Sequence, residues 1–275
     1  MGRRSVVGAM GNVAMLLSFL LFLGFFAAVG LSSMRVKEDT TDDYLVAGRG
    51  MHPALAALSA VSTWNSGYMF IGFIGFTYAV GYSAIWIGLA SSIGQVIAWV
   101  WLYKYIQQEA NFRGVRSLSS LVANVAGAPE AKLAAILSVA FLSVYAAAQL
   151  TSGGKALFAM MGWDPVLGIL IGFVLVVAYC YAGGIRASIW TDAAQSCVMI
   201  IGTTMLCWVA LGQVGGFSGL NTSLETQDPV LTGLVPPNLA LGVSLWIFAF
   251  FLGGLGVAGQ PQVVSRVMTL GSDKE

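Results

Sequence analysis

Charge is the scarcest property of this sequence. Only 9% of its 275 residues are Asp, Glu, Lys or Arg, against roughly 25% in an ordinary soluble domain. A soluble chain of this length needs a charged surface, and too few charges are present to build one. The 13 basic and 12 acidic residues nearly cancel, which excludes the strong positive field of a nucleic-acid binder. Three cysteines are too few for a disulfide framework, and Cys180, Cys197 and Cys207 lack metal-ligand spacing. The single histidine, His52, has no neighbouring ligands and reads as a residue of the membrane edge. No nucleophile–base pair or phosphate loop appears, so the sequence does not read as an enzyme.

Apolar residues dominate instead, at 57% of the chain with a mean hydropathy of +0.82. They come in continuous runs long enough for helices to cross a hydrocarbon core of about 30 Å. Barrel strands would alternate over about ten residues. The runs predict an all-α polytopic protein of the lipid bilayer, one transmembrane domain over 1–275, with seven spans: 11–33, 53–81, 83–103, 133–161, 164–182, 189–213 and 238–268. Arg3 and Arg4 precede the first run, but its length and the following Arg35 and Lys37 predict a retained helix rather than a signal peptide. Arg35, Lys37, Arg49, Lys104, Arg113, Arg116, Lys132, Arg186, Arg266 and Lys274 all follow odd-numbered spans; only Arg3, Arg4 and Lys155 lie on the other side. Positive charge stays inside, so the N-terminus is expected outside and the C-terminus in the cytoplasm. Segment 104–132 is then an internal loop in which Ser117 caps a short helix from Leu118, and 214–237 an external loop.

Two spans are interrupted. The second holds Ser59-Ala60-Val61-Ser62-Thr63-Trp64-Asn65-Ser66-Gly67, and the seventh holds Gly253-Gly254-Leu255-Gly256-Val257-Ala258-Gly259-Gln260-Pro261. Small residues also serve ordinary helix contacts. Two interruptions five helices apart favour discontinuous helices at matching places of inverted repeats, with 11–33 as an added helix, 53–213 as the first repeat and 238–268 opening the second. At such breaks, unwound carbonyls suit Na⁺ and half-helix N-termini suit an anionic solute group. Asp192 lies at the inner end of span six. It reads either as part of a cation site or as an interfacial acid paired with Arg186, and the residues alone leave both open. Gln149 and Gln95 are neutral polar groups at membrane depth, each a solute contact or interhelical glue, with glue favoured for Gln95.

Three ordered blocks carry a resemblance: Asp42-Asp43-Tyr44-Leu45-Val46-Ala47-Gly48-Arg49, the run Gly183-Gly184-Ile185-Arg186-Ala187-Ser188-Ile189-Trp190-Thr191-Asp192-Ala193-Ala194-Gln195, and Gly259-Gln260-Pro261 followed by Arg266 and Met268. From about Met34 onward the sequence resembles the sodium:solute symporter family, its proline-carrying members most of all. The resemblance implies an inverted-repeat core shared with the neurotransmitter:sodium symporters, residence in the inner (plasma) membrane, and symport of a small organic solute, such as an amino acid or related carboxylate. Na⁺ would be the coupling ion and no further cofactor is implied. It places sodium on the backbone carbonyls of Ser62 and Asn65 with Asp192 near its path, and solute contacts at Ser66, Gly67 and Gln149. Trp64 stands where the proline carriers have an acid, and Gly253 and Val257 where they have aromatics, which implies a differently shaped or larger solute. Family members continue beyond the seventh span, so the chain is expected to be the N-terminal part of a transporter. The alternatives are a sensory or scaffold module of the same fold, and a truncated chain that transports nothing.

Overall fold

The computed structural model describes residues 2–125, 127–237 and 239–271. Asn238, the expected start of the seventh span, and Lys274 lie outside them. Helix α1 spans Gly2–Ser32, α2 Thr41–Val46, α3 Pro53–Trp64, α4 Ile74–Val80, α5 Ile85–Ile97 and α6 Tyr103–Arg113. Then come α7 at Leu118–Val122, α8 at Pro129–Met161, α9 at Pro165–Gln213, α10 at Gly216–Gln227, α11 at Gly242–Leu255 and α12 at Pro261–Val267. Short 3₁₀ and π segments link several of them, and no strand occurs among the described residues. Five stretches are long and apolar enough to cross a membrane: Val13–Val36, Ile71–Arg113, Pro129–Met161, Pro165–Gln213 and Gly242–Gly259. This matches the expected all-α membrane class.

Helix boundaries follow local chemistry. Proline occupies the first turn of α3, α8, α9 and α12, where its missing N–H costs nothing. His52 is more than an edge residue, since its Nδ1 accepts from the Ala54 amide and caps α3. Ser117 caps α7 through the Ser120 amide, as its position before Leu118 suggests. Segment 104–132 is less of a loop than expected, because α6 prolongs span three to Arg113 before Gly114 ends it in the left-handed region. Segment 214–237 contains helix α10 rather than loop alone. There, Thr222, Ser223 and Thr226 bond back to carbonyls four residues earlier, which absorbs their hydroxyls within a helix.

The 49-residue α9 is two helices joined at Gly184, whose φ of +60° and ψ of −148° only glycine adopts readily. A side chain there would also meet the Tyr44 carbonyl at 2.5 Å. This junction falls between segments 164–182 and 189–213, which the sequence reads as spans five and six. Helices α1, α3 and α8 pack on α9, and α5 packs on α11. The α5–α11 seam depends on Gly94 and Gly254, where a Cβ would approach the Phe251 and Ser91 carbonyls at 2.3 and 2.1 Å. Such close backbone approach is how small residues hold membrane helices together.

One end of the bundle collects the basic side chains. Asp43 is only 2% exposed and pairs with Arg186, which also donates to the Ala47 carbonyl at 3.1 Å. Ala47, Gly48 and Arg49 run through three consecutive positive φ values of 53°, 61° and 57°. That turn directs Arg49 to Asn111 and to the Val115 carbonyl. Arg116 pairs with Asp42 at the surface, and Arg113 donates to the Leu121 and Ala123 carbonyls. Arg186 pairs with Asp43, so the expected alternative partner of Asp192 is taken, and Asp192 pairs with Arg266 instead.

Candidate functional site: two helix breaks and a part-buried ion pair

Helix α3 ends at Trp64, and the chain resumes helical geometry only after Ser66. A continuing helix would have the amides of Ser66, Gly67 and Met69 donate to the carbonyls of Ser62, Thr63 and Asn65. All three are rerouted. Ser66 donates to Trp64 O at 2.8 Å, Met69 to Ser66 O at 2.9 Å, and Gly67 to Gln149 Oε1 at 2.6 Å. The Thr63 carbonyl is taken up by the Tyr145 hydroxyl at 3.3 Å. The Ser62 and Asn65 carbonyls are thereby released from the helical ladder, the first in the last turn of α3 and the second within the break. In a membrane such backbone persists only where protein or water satisfies it.

The second break separates α11 from α12. A 3₁₀ turn at Gly256–Gly259 leads to Gln260 in extended geometry, and Pro261 opens α12. The Tyr103 hydroxyl donates to the Val257 carbonyl at 2.7 Å in a fully buried bond that anchors this turn. Both interruptions thus lie within the spans where the sequence places them.

Between the breaks and α5 lies a cavity of about 300 Å³, lined by Val61, Trp64, Asn65, Gln95, Trp99 and Val257 among others. Trp64 and Val257 share its wall, and both also belong to the apolar packing around Val46, Ala98 and Tyr103. Gly67 and Gln149 meet on the α8 side of the break instead. Gly253 is separate from both, exposed and with nothing within 4 Å of the position a side chain would take.

The third feature is an ion pair. Arg266 Nη2 lies 3.0 Å from Asp192 Oδ2, with side chains only 13% and 18% exposed. The same carboxylate oxygen accepts from Ser59 Oγ at 2.8 Å and from Ser188 Oγ at 3.4 Å, while Arg266 donates to both hydroxyls. Ser59 belongs to α3, Ser188 and Asp192 to α9, and Arg266 to α12. One carboxylate therefore links both discontinuous helices to the span-six helix. Ser196 Oγ adds a bond to the Leu58 carbonyl at 2.6 Å along the same seam. Sequence reasoning missed Ser59, Ser188 and Arg266 as a unit. Their only local signal was Ser188 standing four residues before Asp192, on the same helix face.

Residues 44–275 match the sodium:solute symporter family. The chain belongs to that family. The high-affinity proline transporter PutP of Bacillus subtilis is 28% identical over 93% of this chain and 53% of its own length. A sodium/proline symporter of Staphylococcus aureus is 27% identical over 94% of this chain and 50% of its own. A solved structure of a Na⁺-coupled sialic acid symporter, substrate-bound and outward-open, superposes with a TM-score of 0.81 at 22% identity. It covers 96% of this chain and 54% of that one. The chain thus shares a symporter fold and spans about half the length of the relatives it matches. As a member of a transporter family it is not an enzyme.

Proposed function

We propose that this chain forms part of a Na⁺-coupled symporter for a small organic solute. The observation that carries the reading is the break after Trp64, where the rerouted Ser66 and Met69 amides free the Ser62 and Asn65 carbonyls. Unwound carbonyls are the oxygen ligands Na⁺ takes in discontinuous-helix transporters. Sodium here is a co-transported substrate. Asp192 supplies negative charge on the route inward from those carbonyls, and Arg266 balances it while no cation is near. Ser66 and Gly67 contribute to the solute side of the break, and Trp64, Gly253 and Val257 shape the solute's room. A tryptophan in place of an acid, and a glycine and a valine in place of aromatics, suit a solute other than proline.

The architecture of the reading is seven crossings. Gly81, with a φ of +62°, and Gly184 each divide a long helical stretch, and the interrupted spans are the first helices of two inverted repeats. The chain sits in the inner membrane with the N-terminus outside. The gathering of Arg49, Arg113, Arg116 and Arg186 at one end supports a cytoplasmic placement of that end. Uptake measured on the full-length protein tests this reading. Replacing Na⁺ by choline is expected to abolish solute accumulation, and undiminished uptake in choline would overturn the coupling.

A further inference from the structure

We infer that Tyr145 and Gln149 are a bracket that sets the geometry of the Ser62–Asn65 carbonyl pair, and so the affinity for Na⁺. The inference rests on the sodium reading above and assigns these two side chains a positioning role within it.

The Thr63 carbonyl and the Gly67 amide are the two ends of one missing helical hydrogen bond. Unpaired in a membrane interior, each would carry a desolvation cost comparable to a lost hydrogen bond. Both are satisfied from α8: Tyr145 Oη donates to Thr63 O at 3.3 Å, and Gln149 Oε1 accepts from Gly67 N at 2.6 Å. Tyr145 and Gln149 stand four residues apart, so they share one face of an uninterrupted helix, separated by about 6 Å along its axis. A rigid segment thus holds the two sides of the break at a fixed distance. The carbonyls of Ser62 and Asn65 flank the bracketed Thr63, and their separation follows from that distance.

The fit leaves no room for a solute between the glutamine and the backbone. A Cβ on Gly67 would lie 2.6 Å from the Ser152 Cβ and 3.0 Å from Gln149 Oε1. The oxygen of Gln149 is therefore occupied by main chain. Its part in sodium binding is to keep the Gly67 amide off the helical ladder, which keeps the break open.

Three variants of the full-length protein test the bracket: Tyr145→Phe removes one hydroxyl, Gln149→Leu removes the acceptor, and Gln149→Glu retains an acceptor. Losing one such bond is expected to raise the half-saturating Na⁺ concentration by about three- to tenfold in Tyr145→Phe and Gln149→Leu. Gln149→Glu keeps the acceptor for the Gly67 amide, so its hydrogen exchange over 62–69 is expected to stay near the wild type. The order of preference among competing solutes should not change, and hydrogen exchange over 62–69 should quicken in Gln149→Leu. Wild-type uptake that needs Na⁺, with variants whose sodium dependence is unmoved or whose solute ranking shifts instead, overturns the bracket alone. Wild-type uptake that does not need Na⁺ overturns the sodium reading and the bracket together.

Discussion

Arg266 and Asp192 meet at 3.0 Å from positions 74 residues apart in the chain, and two serines from two helices share the same carboxylate oxygen. A paired charge at this depth is tolerable because the partner and hydroxyls replace lost hydration. The contact also fastens α3 and α12 to α9.

Removing either partner leaves the other charge uncompensated, at a cost of about 3–5 kcal/mol. Asp192→Asn and Arg266→Gln are each expected to lower the thermal stability of the detergent-purified protein. The double variant should recover part of the loss, with a coupling of about 1–3 kcal/mol. Additive losses would show that the pair is incidental. In uptake assays Asp192→Asn should also raise the Na⁺ requirement.

The two acids of the Asp42–Asp43 pair should behave oppositely. Asp43 is buried against Arg186, so Asp43→Asn is expected to be among the most destabilising changes, at about 3 kcal/mol or more. Asp42 pairs with Arg116 at the surface, where such contacts are weak. Equal losses of stability in Asp43→Asn and Arg116→Ala would contradict this contrast.

The Asp42 pair has a definite pH signature. The hydrogen bond from Arg116 holds the Asp42 carboxyl below its ordinary value of 3.8, with the arginine charge reinforcing it. A carboxyl lowered on folding contributes stability above its ordinary value and loses it as pH falls through the lowered one. Wild type and Arg116→Ala should therefore differ slightly at neutral pH and converge below about pH 4. A difference that grows on acidification would refute the assignment.

Glycine substitutions separate backbone demands from open space. Gly184→Ala combines a positive φ with a clash on the Tyr44 carbonyl, and Gly254→Ala clashes with the Ser91 carbonyl. Main chain cannot step aside as a side-chain tip can, so each should cost about 1–3 kcal/mol or more. A Cβ at position 253 meets nothing within 4 Å, and the glycine is exposed, so Gly253→Phe should leave stability intact. If position 253 shapes the solute's room, the same variant will change the ranking of competing solutes.

Much of this protein is a local matter. Long apolar runs determine the membrane class because any polar backbone in lipid must close its own hydrogen bonds, and a helix does so within one segment. Proline and glycine mark where that closure fails, so both breaks could be read from Ser59–Gly67 and Gly253–Pro261. The cap at Ser117 was equally local.

Partners across the bundle were decided only by tertiary structure. Arg186, six residues before Asp192, is its near neighbour in sequence, yet six residues at 3.6 per turn point to different helix faces. Folding gives Arg186 to Asp43 and gives Asp192 the arginine of α12. In the same way, Gln149 as a lone polar residue in an apolar run is ambiguous between solute contact and helix contact. Its oxygen was assigned by the direct approach of α8 to Gly67, which depends on how α8 packs in the bundle and on no feature of its own sequence neighbourhood.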